Sequence, residues 1–381
     1  MNLLRRKIEK EIEGRGPIPF SRYMQLCLYD SELGYYSRIA EQFGKAGDFY
    51  TSSDVHAVFG RLLARQFDEM WRVLGSPERI ELVELGPGRG LFAQDVLNWS
   101  EKSFPEFSRA LRYVLIESSA ALRERITATL KPHLDAGKAE LNPIYPREEE
   151  SSCEVSTIVF ANEFFDALPV EIISSKGSLR IDTRNNNFIE TWVQPSPEEL
   201  EFLDLYSVHP EPGERIETAL VAQEVMDRIA SNIQRGFFIT IDYGYTREEQ
   251  LAGRHRGTLK ALRQHSVSAN PYEAPGEQDI TADVNFTALA AAAENDGMQA
   301  HKLITQSQFL MGIGEANQFT DAFAGCRLPQ ERAKVALQLK HLVTPAGMGE
   351  SFQVLIASKG LELVKLESLS GLNFGRRPIA R

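Results

Sequence analysis

Four short stretches place carboxylates, an amide and glycines directly behind apolar runs: Glu84-Leu-Gly86-Pro-Gly88-Arg-Gly90, Glu117, Asn162-Glu163-Phe164-Phe165-Asp166, and Asp242-Tyr243-Gly244. The glycine spacing is the first discriminator. The dinucleotide fingerprint reads G-x-G-x-x-G, which would put its third glycine at Leu91, and a side chain there opposes the close helix-to-strand approach that pattern needs. A pyrophosphate wants bare amides at a helix N-terminus, whereas a positively charged ligand tolerates a nearby carboxylate. Glu84, inside the strand end, suits the second kind of ligand. Glu117, at the tip of the next strand, can accept both ribose hydroxyls of a nucleoside. It can equally be a cap for a helix starting at Ser118-Ser119.

These residues have to be positioned by the elements around them. Leu82–Leu85, Tyr113–Ile116, Thr157–Ala161, Phe237–Ile241, Ala300–Thr305 and Phe352–Ala357 read as strands. Leu91–Trp99, Ala120–Leu130, Glu217–Gln234 and Phe286–Ala293 read as helices. Alternation of this kind predicts an α/β fold with a mostly parallel sheet covered on both faces, whose ligands bind outside the carboxyl ends of the strands. All four chemical stretches fall at that rim. Three segments interrupt the alternation. The first 78 or so residues are helical in pattern, Pro169–Val193 alternates as a small antiparallel excursion, and Tyr243–Asp283 carries little periodicity and predicts a long covering loop.

Composition narrows the function classes. Of 381 residues, 42 are Lys or Arg and 53 are Asp or Glu, and the net charge of −11 opposes a non-specific hold on nucleic acid or anionic membrane. No stretch approaches the roughly 18 apolar residues of a membrane span. Cys27, Cys153 and Cys326 are far apart and suggest a reducing compartment without a disulfide frame. The N-terminus has mixed charge and no apolar export core, so a cytoplasmic location is expected. The histidines show no ligand spacing, so no metal is expected.

Glu84-x-Gly86-x-Gly88-x-Gly90 resembles motif I of S-adenosylmethionine-dependent methyltransferases, in which the glycine backbone makes room for the methionine part of the cofactor. A wider set of stretches resembles the MidA-like methyltransferases, a family that includes the mitochondrial complex I assembly arginine methyltransferase: GPIPFSRYMQLCLYDSELGYYS, GDFYTSSDVHAVFG, ELVELGPGRG, NEFFDALPVE, IDYGY, PGEQDITADVNF and MGESFQVL, in order from Gly16 to Leu355. The resemblance implies a seven-stranded, Rossmann-like class I methyltransferase sheet with an antiparallel last strand, a helical N-terminal flank and inserted substrate-covering segments. It implies a flank at 1–78, a methyltransferase domain at 79–360 with insertions at about 170–215, 243–283 and 306–350, and a tail at 361–381. The implied cofactor is S-adenosyl-L-methionine, with Glu84, Gly86, Pro87, Gly88, Gly90 and Glu117 around it.

Methyl transfer from a sulfonium is an in-line displacement, so catalysis consists largely of orientation and exclusion of water. If the acceptor is an arginine of a partner protein, such as a respiratory complex I subunit, carboxylates gripping the guanidinium fix its plane. Glu163 and Asp166, beside Asn162, are the candidates, and Asp242 and Asp279 are possible additions. Phe164 and Phe165 either wall the pocket or pack the core. Three alternatives stay open: a nucleic-acid methyltransferase, a small-molecule methyltransferase, and a cofactor-binding assembly factor with little catalysis. Base-methylating enzymes often carry an N-P-P-Y type turn where NEFF stands, and both prolines are missing here. Arg254, His255, Arg256, Lys260 and Arg263 form a local basic run that is either a nucleic-acid patch or solvated loop charge. His56 is either a proton acceptor or a packing residue. The sequence names no acceptor protein and no oligomeric state.

Overall fold

The computed structural model describes residues 2–38, 57–145, 155–263, 266–268, 270–362, 366 and 368–374. His56, Cys153 and the segment around Gly44–Asp48 lie outside the described residues.

The central sheet is built from β1 (Ile80–Leu85), β2 (Leu111–Ile116), β3 (Ala139–Asn142), β4 (Ser156–Asn162), β5 (Gly236–Tyr245), β6 (Gln299–Ala300) and β7 (Phe352–Lys359). Their spatial order is β6-β7-β5-β4-β1-β2-β3, and the short strands Val284–Asn285 and Ile304–Thr305 pair with β5 and β7 to make nine. Strands β1 to β5 run parallel, while β7 lies antiparallel to β5 with Asp242 opposite Gln353. The chain winds one way from β1 through β3, then returns to the other side of β1 with β4. That reversal opens a crevice between the loops after β1 and β4, where ligands of such sheets bind.

Alternation along β1 gives the sheet two buried faces. Ile80 and Leu82 join Tyr113, Phe160 and Ile239 in one core, against helices α3 (Ala57–Val73) and α4 (Leu91–Ser103). Val83 and Leu85 join Val159 and Phe238 in the other, against Leu220–Asn232 and Phe286–Asn295. The first helices, α1 (Leu3–Arg15) and α2 (Phe20–Tyr29), pack on a separate five-stranded sheet that includes the hairpin Gly177–Arg184 and Asn187–Val193, through Leu4, Ile8, Phe20, Met24, Leu179 and Ile181.

Several expectations from the sequence need correction. Glu217 and Thr218 belong to the strand Arg215–Thr218 rather than to the start of a helix, because Ile216 pairs with Ile173 and the Glu217 carboxylate takes the amides of Thr258 and Leu259 at 3.0 and 3.1 Å. The unpatterned stretch 243–283 contains a three-stranded antiparallel sheet built on Lys260–Arg263, Ser266–Ser268 and Asp279–Thr281. Part of the segment after residue 360 packs on the first core. Leu366 and Leu369 are buried in the first core, and Glu69 accepts the Ser370 amide and hydroxyl, each at 2.8 Å.

Candidate functional site

Behind β1 the loop Gly86-Pro87-Gly88-Arg89-Gly90 turns back into α4, and its three glycines have φ of 63°, 55° and 74°. Left-handed backbone at these positions favours glycine. The spaces beside them are used differently. A Cβ on Gly86 would stand 3.0 Å from the Phe164 ring, and one on Gly90 would meet Ile126 and Leu130 at 3.4 Å. Gly86, Pro87 and Gly88 line a cavity of about 610 Å³, whereas Gly90 faces the helix Ala120–Asp135.

Glu84 is a correction of another kind. It shares the face of β1 that carries Ile80 and Leu82, so its carboxyl is buried beneath the loop and away from the cavity lining. There it accepts the Tyr113 hydroxyl at 2.8 Å, and burial pushes it up to about 8. Its place outside the cavity lining, bonded to Tyr113, gives no support to the charge-pairing role expected of it. Glu117 does line the cavity. It accepts the Ser119 amide at 2.8 Å, and Ser119 itself caps the following helix through Leu122. Burial raises Glu117 to about 7, opposed by the Ser119 amide and Arg123.

The loop after β4 holds the densest chemistry. Glu163 has a left-handed backbone, φ 49°, unusual for a residue with a side chain. Asp242, at the end of β5, explains how the loop keeps that shape: its Oδ2 accepts the amides of Phe164, Phe165 and Asp166 at 3.2, 3.0 and 3.3 Å. Its Oδ1 accepts the Tyr243 amide at 2.9 Å. Asp242 is therefore a loop anchor buried outside the cavity lining, not one of the gripping carboxylates. Asn162, Glu163, Phe164 and Asp166 all line the cavity. Asn162 donates to Glu163 Oε1 at 3.1 Å, and the Tyr243 hydroxyl approaches Glu163 Oε2 at 3.4 Å. Phe164 does both things considered for it, walling the cavity and packing on Gly86, while Phe165 is buried against Phe238. Two buried oxygens at this wall, Asn162 Oδ1 and Asp166 Oδ1, make no hydrogen bond to a described residue. Buried polar atoms are normally paired, so such orphans fit a wall completed by a ligand.

The cavity also takes in Asp279, one of the carboxylates the sequence offered as an addition, and residues to which the sequence assigned no role. Tyr29 and Tyr36 reach it from the N-terminal segment, Val225 and Arg228 from the helix Leu220–Asn232, and Asp279 from the small sheet. The quoted stretch ending in LGYYS marked the tyrosine segment without saying what it does. The basic run is paired with acids. Arg254 pairs with Glu249, His255 and Lys260 with Asp283, Arg256 with Glu214, and Arg263 with Glu277, at 2.7–3.3 Å. Among the described residues no three His, Cys, Asp or Glu are grouped to hold a metal, and no helix is long and apolar enough to cross a membrane.

At about 610 Å³ the cavity falls within the roughly 300–1,000 Å³ of small-molecule sites. Its glycine loop, the Glu117 carboxylate and the orphaned oxygens fit a cofactor carrying a nucleoside and a positive charge.

Comparison with known proteins bears on the same point. Residues 62–304 match the family model described as “Putative S-adenosyl-L-methionine-dependent methyltransferase”. The Drosophila melanogaster protein arginine methyltransferase NDUFAF7 homolog, mitochondrial, is 30% identical over 97% of this chain and 88% of its own length. The human protein arginine methyltransferase NDUFAF7, mitochondrial, is 27% identical over 91% of this chain and 81% of its own. The crystal structure of a COG1565 superfamily member from Burkholderia thailandensis, bound to S-adenosyl-homocysteine, superposes with a TM-score of 0.82 at 26% identity, covering 98% of this chain and 95% of that one. The cytoplasmic expectation is corrected here. Relatives matched over most of this chain are mitochondrial proteins, so the lack of an apolar export core near the N-terminus does not argue for the cytoplasm. With its α/β fold, its cavity at the sheet's switch point and a family match over most of its length, the chain belongs to the S-adenosyl-L-methionine-dependent methyltransferases.

Proposed function

We propose that this protein methylates an arginine side chain of a partner protein. One observation carries the reading: a single cavity joins the Gly86–Gly88 loop and Glu117 to Asn162, Glu163 and Asp166. The relatives' names, protein arginine methyltransferases, support the acceptor class. So does the pairing of the basic run with acids in a chain of net charge −11, which leaves that run less charge to offer a phosphate. The sheet is read as a class I methyltransferase sheet of seven principal strands, on the strand order and the antiparallel β7. In domain terms we keep 79–360 as the methyltransferase domain, with 361–381 following it. Residues 1–78 divide by their contacts, α1 and α2 on the separate sheet and α3 on the central one.

The division of labour follows the geometry. Gly86, Pro87 and Gly88 receive the methionine part of the cofactor and Glu117 accepts ribose hydroxyls, while Glu84 and Gly90 shape the loop from behind. Bound cofactor would supply a methyl group on a sulfonium: the sulfur–methyl bond would break as the nitrogen–methyl bond forms, leaving a neutral thioether, and the methylated guanidino group would release one proton to solvent. Glu163 and Asp166 take the guanidinium N–H groups, fix its plane and hold positive charge away from the attacking nitrogen. Asn162 orients Glu163 through its 3.1 Å hydrogen bond. Asp242 keeps the loop rigid, so the carboxylates are preorganised.

Incubation of purified protein with methyl-labelled cofactor and cell extract tests the reading. Label in a protein fraction supports it. Label in nucleic acid or in the small-molecule fraction overturns it.

A further inference from the structure

We infer that Tyr243 is a positioning residue: from behind the cavity wall its hydroxyl holds the Glu163 carboxylate in the orientation that meets the acceptor. The inference rests on the methyl-transfer reading above, in which Glu163 acts on the acceptor, and adds the residue that aims it.

Two consecutive residues at the end of β5 act on the loop after β4 in different ways. Alternation sends their side chains to opposite faces, Asp242 to the face of Phe238 and Tyr243 to the face of Ile239 and Ile241. Asp242 takes backbone amides of the loop. The Tyr243 hydroxyl donates instead to a side chain, to Glu163 Oε2 at 3.4 Å. Asn162 Nδ2 donates to the other carboxylate oxygen, Oε1, at 3.1 Å. One donor on each oxygen opposes rotation of the carboxylate about its last bond, a torsion that is otherwise broad. Glutamate has much rotamer freedom to lose, and ordering it before the acceptor arrives removes that cost from the transfer step.

Tyr243 is itself held in place. Its amide donates to Asp242 Oδ1 at 2.9 Å, and its register partner on β7 is the buried Phe352. The two rings lie 4.0 Å apart between centroids, tilted by 39°. Tyr243 packs on the first core and stands outside the cavity lining, whereas Asn162 and Glu163 line it. The phenol therefore reaches the acceptor through Glu163 and not directly. Burial and the Glu163 charge both raise Tyr243, so its hydroxyl stays protonated and able to donate wherever transfer is assayed. Hydrogen bonds of catalytic groups are often long before the ligands arrive and tighten when they bind, and the 3.4 Å contact is of that kind. A phenylalanine would serve the packing on Phe352 equally well. Only the hydroxyl serves Glu163.

The test varies methyl-labelled S-adenosylmethionine against a fixed amount of cell extract, with wild type, Tyr243→Phe, Glu163→Gln and the double variant. Tyr243→Phe keeps the ring on Phe352 and the backbone bonds, and removes the hydroxyl alone. It should lower the apparent kcat about tenfold, the scale of one hydrogen bond to a charged group. KM for the cofactor and affinity for S-adenosyl-homocysteine should stay within about twofold, showing that the fold and the cofactor end of the cavity survive. In the Glu163→Gln background the same substitution should change the rate by about twofold or less, because the carboxylate it positions is gone. Transfer by Tyr243→Phe at the wild-type rate overturns the inference. So does a tenfold loss that persists in Glu163→Gln, or a loss of S-adenosyl-homocysteine affinity as large as the loss of rate. If arginine is methylated while Tyr243→Phe is neutral, the positioning role falls and the arginine reading stands. If the label goes to another acceptor, yet the effect of Tyr243→Phe disappears in Glu163→Gln, the positioning role stands and the arginine reading falls. Absence of transfer by wild type overturns both.

Discussion

Asp242 Oδ2 accepts the Phe165 amide at 3.0 Å, joining the end of β5 to the loop after β4 across 77 residues of sequence. With the amides of Phe164, Asp166 and Tyr243 on the same carboxylate, four donors depend on one side chain. Asp242→Ala orphans them, and each buried unsatisfied donor costs about 1–3 kcal/mol. The expected loss is therefore roughly 3 kcal/mol or more of stability, read from urea unfolding, together with loss of methyl transfer. Asp242→Asn keeps one carbonyl oxygen as acceptor and should fall between the two. A stable, active alanine variant would remove Asp242 from the role of loop anchor.

Glu84 gives a pH signature. Its folded carboxyl is raised to about 8 by burial, whereas the unfolded chain ionises near 4.5. Its contribution is therefore fully present below about 4.5 and is lost as pH rises through about 8. Glu84→Gln retains an acceptor for Tyr113 without a titrating group. Relative to wild type the variant should gain roughly 1.4 kcal/mol per pH unit between about pH 5 and 8. Thermal melts of both proteins across that range measure it. A pH-independent difference would mean that Glu84 is ionised in the fold.

Glu117 gives the opposite slope in binding. Ribose hydroxyls donate to a carboxylate, and Glu117 is raised to about 7. Affinity for S-adenosyl-homocysteine should therefore improve about five- to tenfold from pH 6 to pH 8, as Glu117 ionises. Glu117→Gln should bind about 1.5–3 kcal/mol more weakly at pH 8 and lose this dependence. Calorimetry at three pH values distinguishes this from a residue that only caps the Ser119 helix, for which wild type and variant would bind alike.

Much of the site was legible because the strands end abruptly. Apolar runs such as Thr157–Ala161 stop at Asn162 and Glu163, and the parallel α/β pattern alone puts such ends on one rim. What the sequence could not assign was the direction of each side chain. Glu84 sits two residues from Gly86 yet shares a face with Ile80 and Leu82, because alternation along β1 carries it under the loop. The Tyr36–Asp279 contact spans 243 residues and follows no local period. Glu217 and Thr218 continue the helical pattern that follows them, and only pairing with the strand Glu171–Ser174, Ile216 opposite Ile173, makes them part of a strand. Leu366 and Leu369 are scattered apolar residues in a segment that reads as a tail, and they become core only through contact with α3 and its neighbours.

The most direct measurement is tandem mass spectrometry of the peptide that receives the labelled methyl group, with wild type and Glu163→Gln assayed side by side. The expected result is a methyl group on a guanidino nitrogen of arginine. Transfer by Glu163→Gln should be reduced about a hundredfold or more, with S-adenosyl-homocysteine affinity within about twofold of wild type, as for a group acting on the acceptor rather than on cofactor capture. A methyl group on a lysine or a nucleobase, or transfer by Glu163→Gln at the wild-type rate, would contradict it.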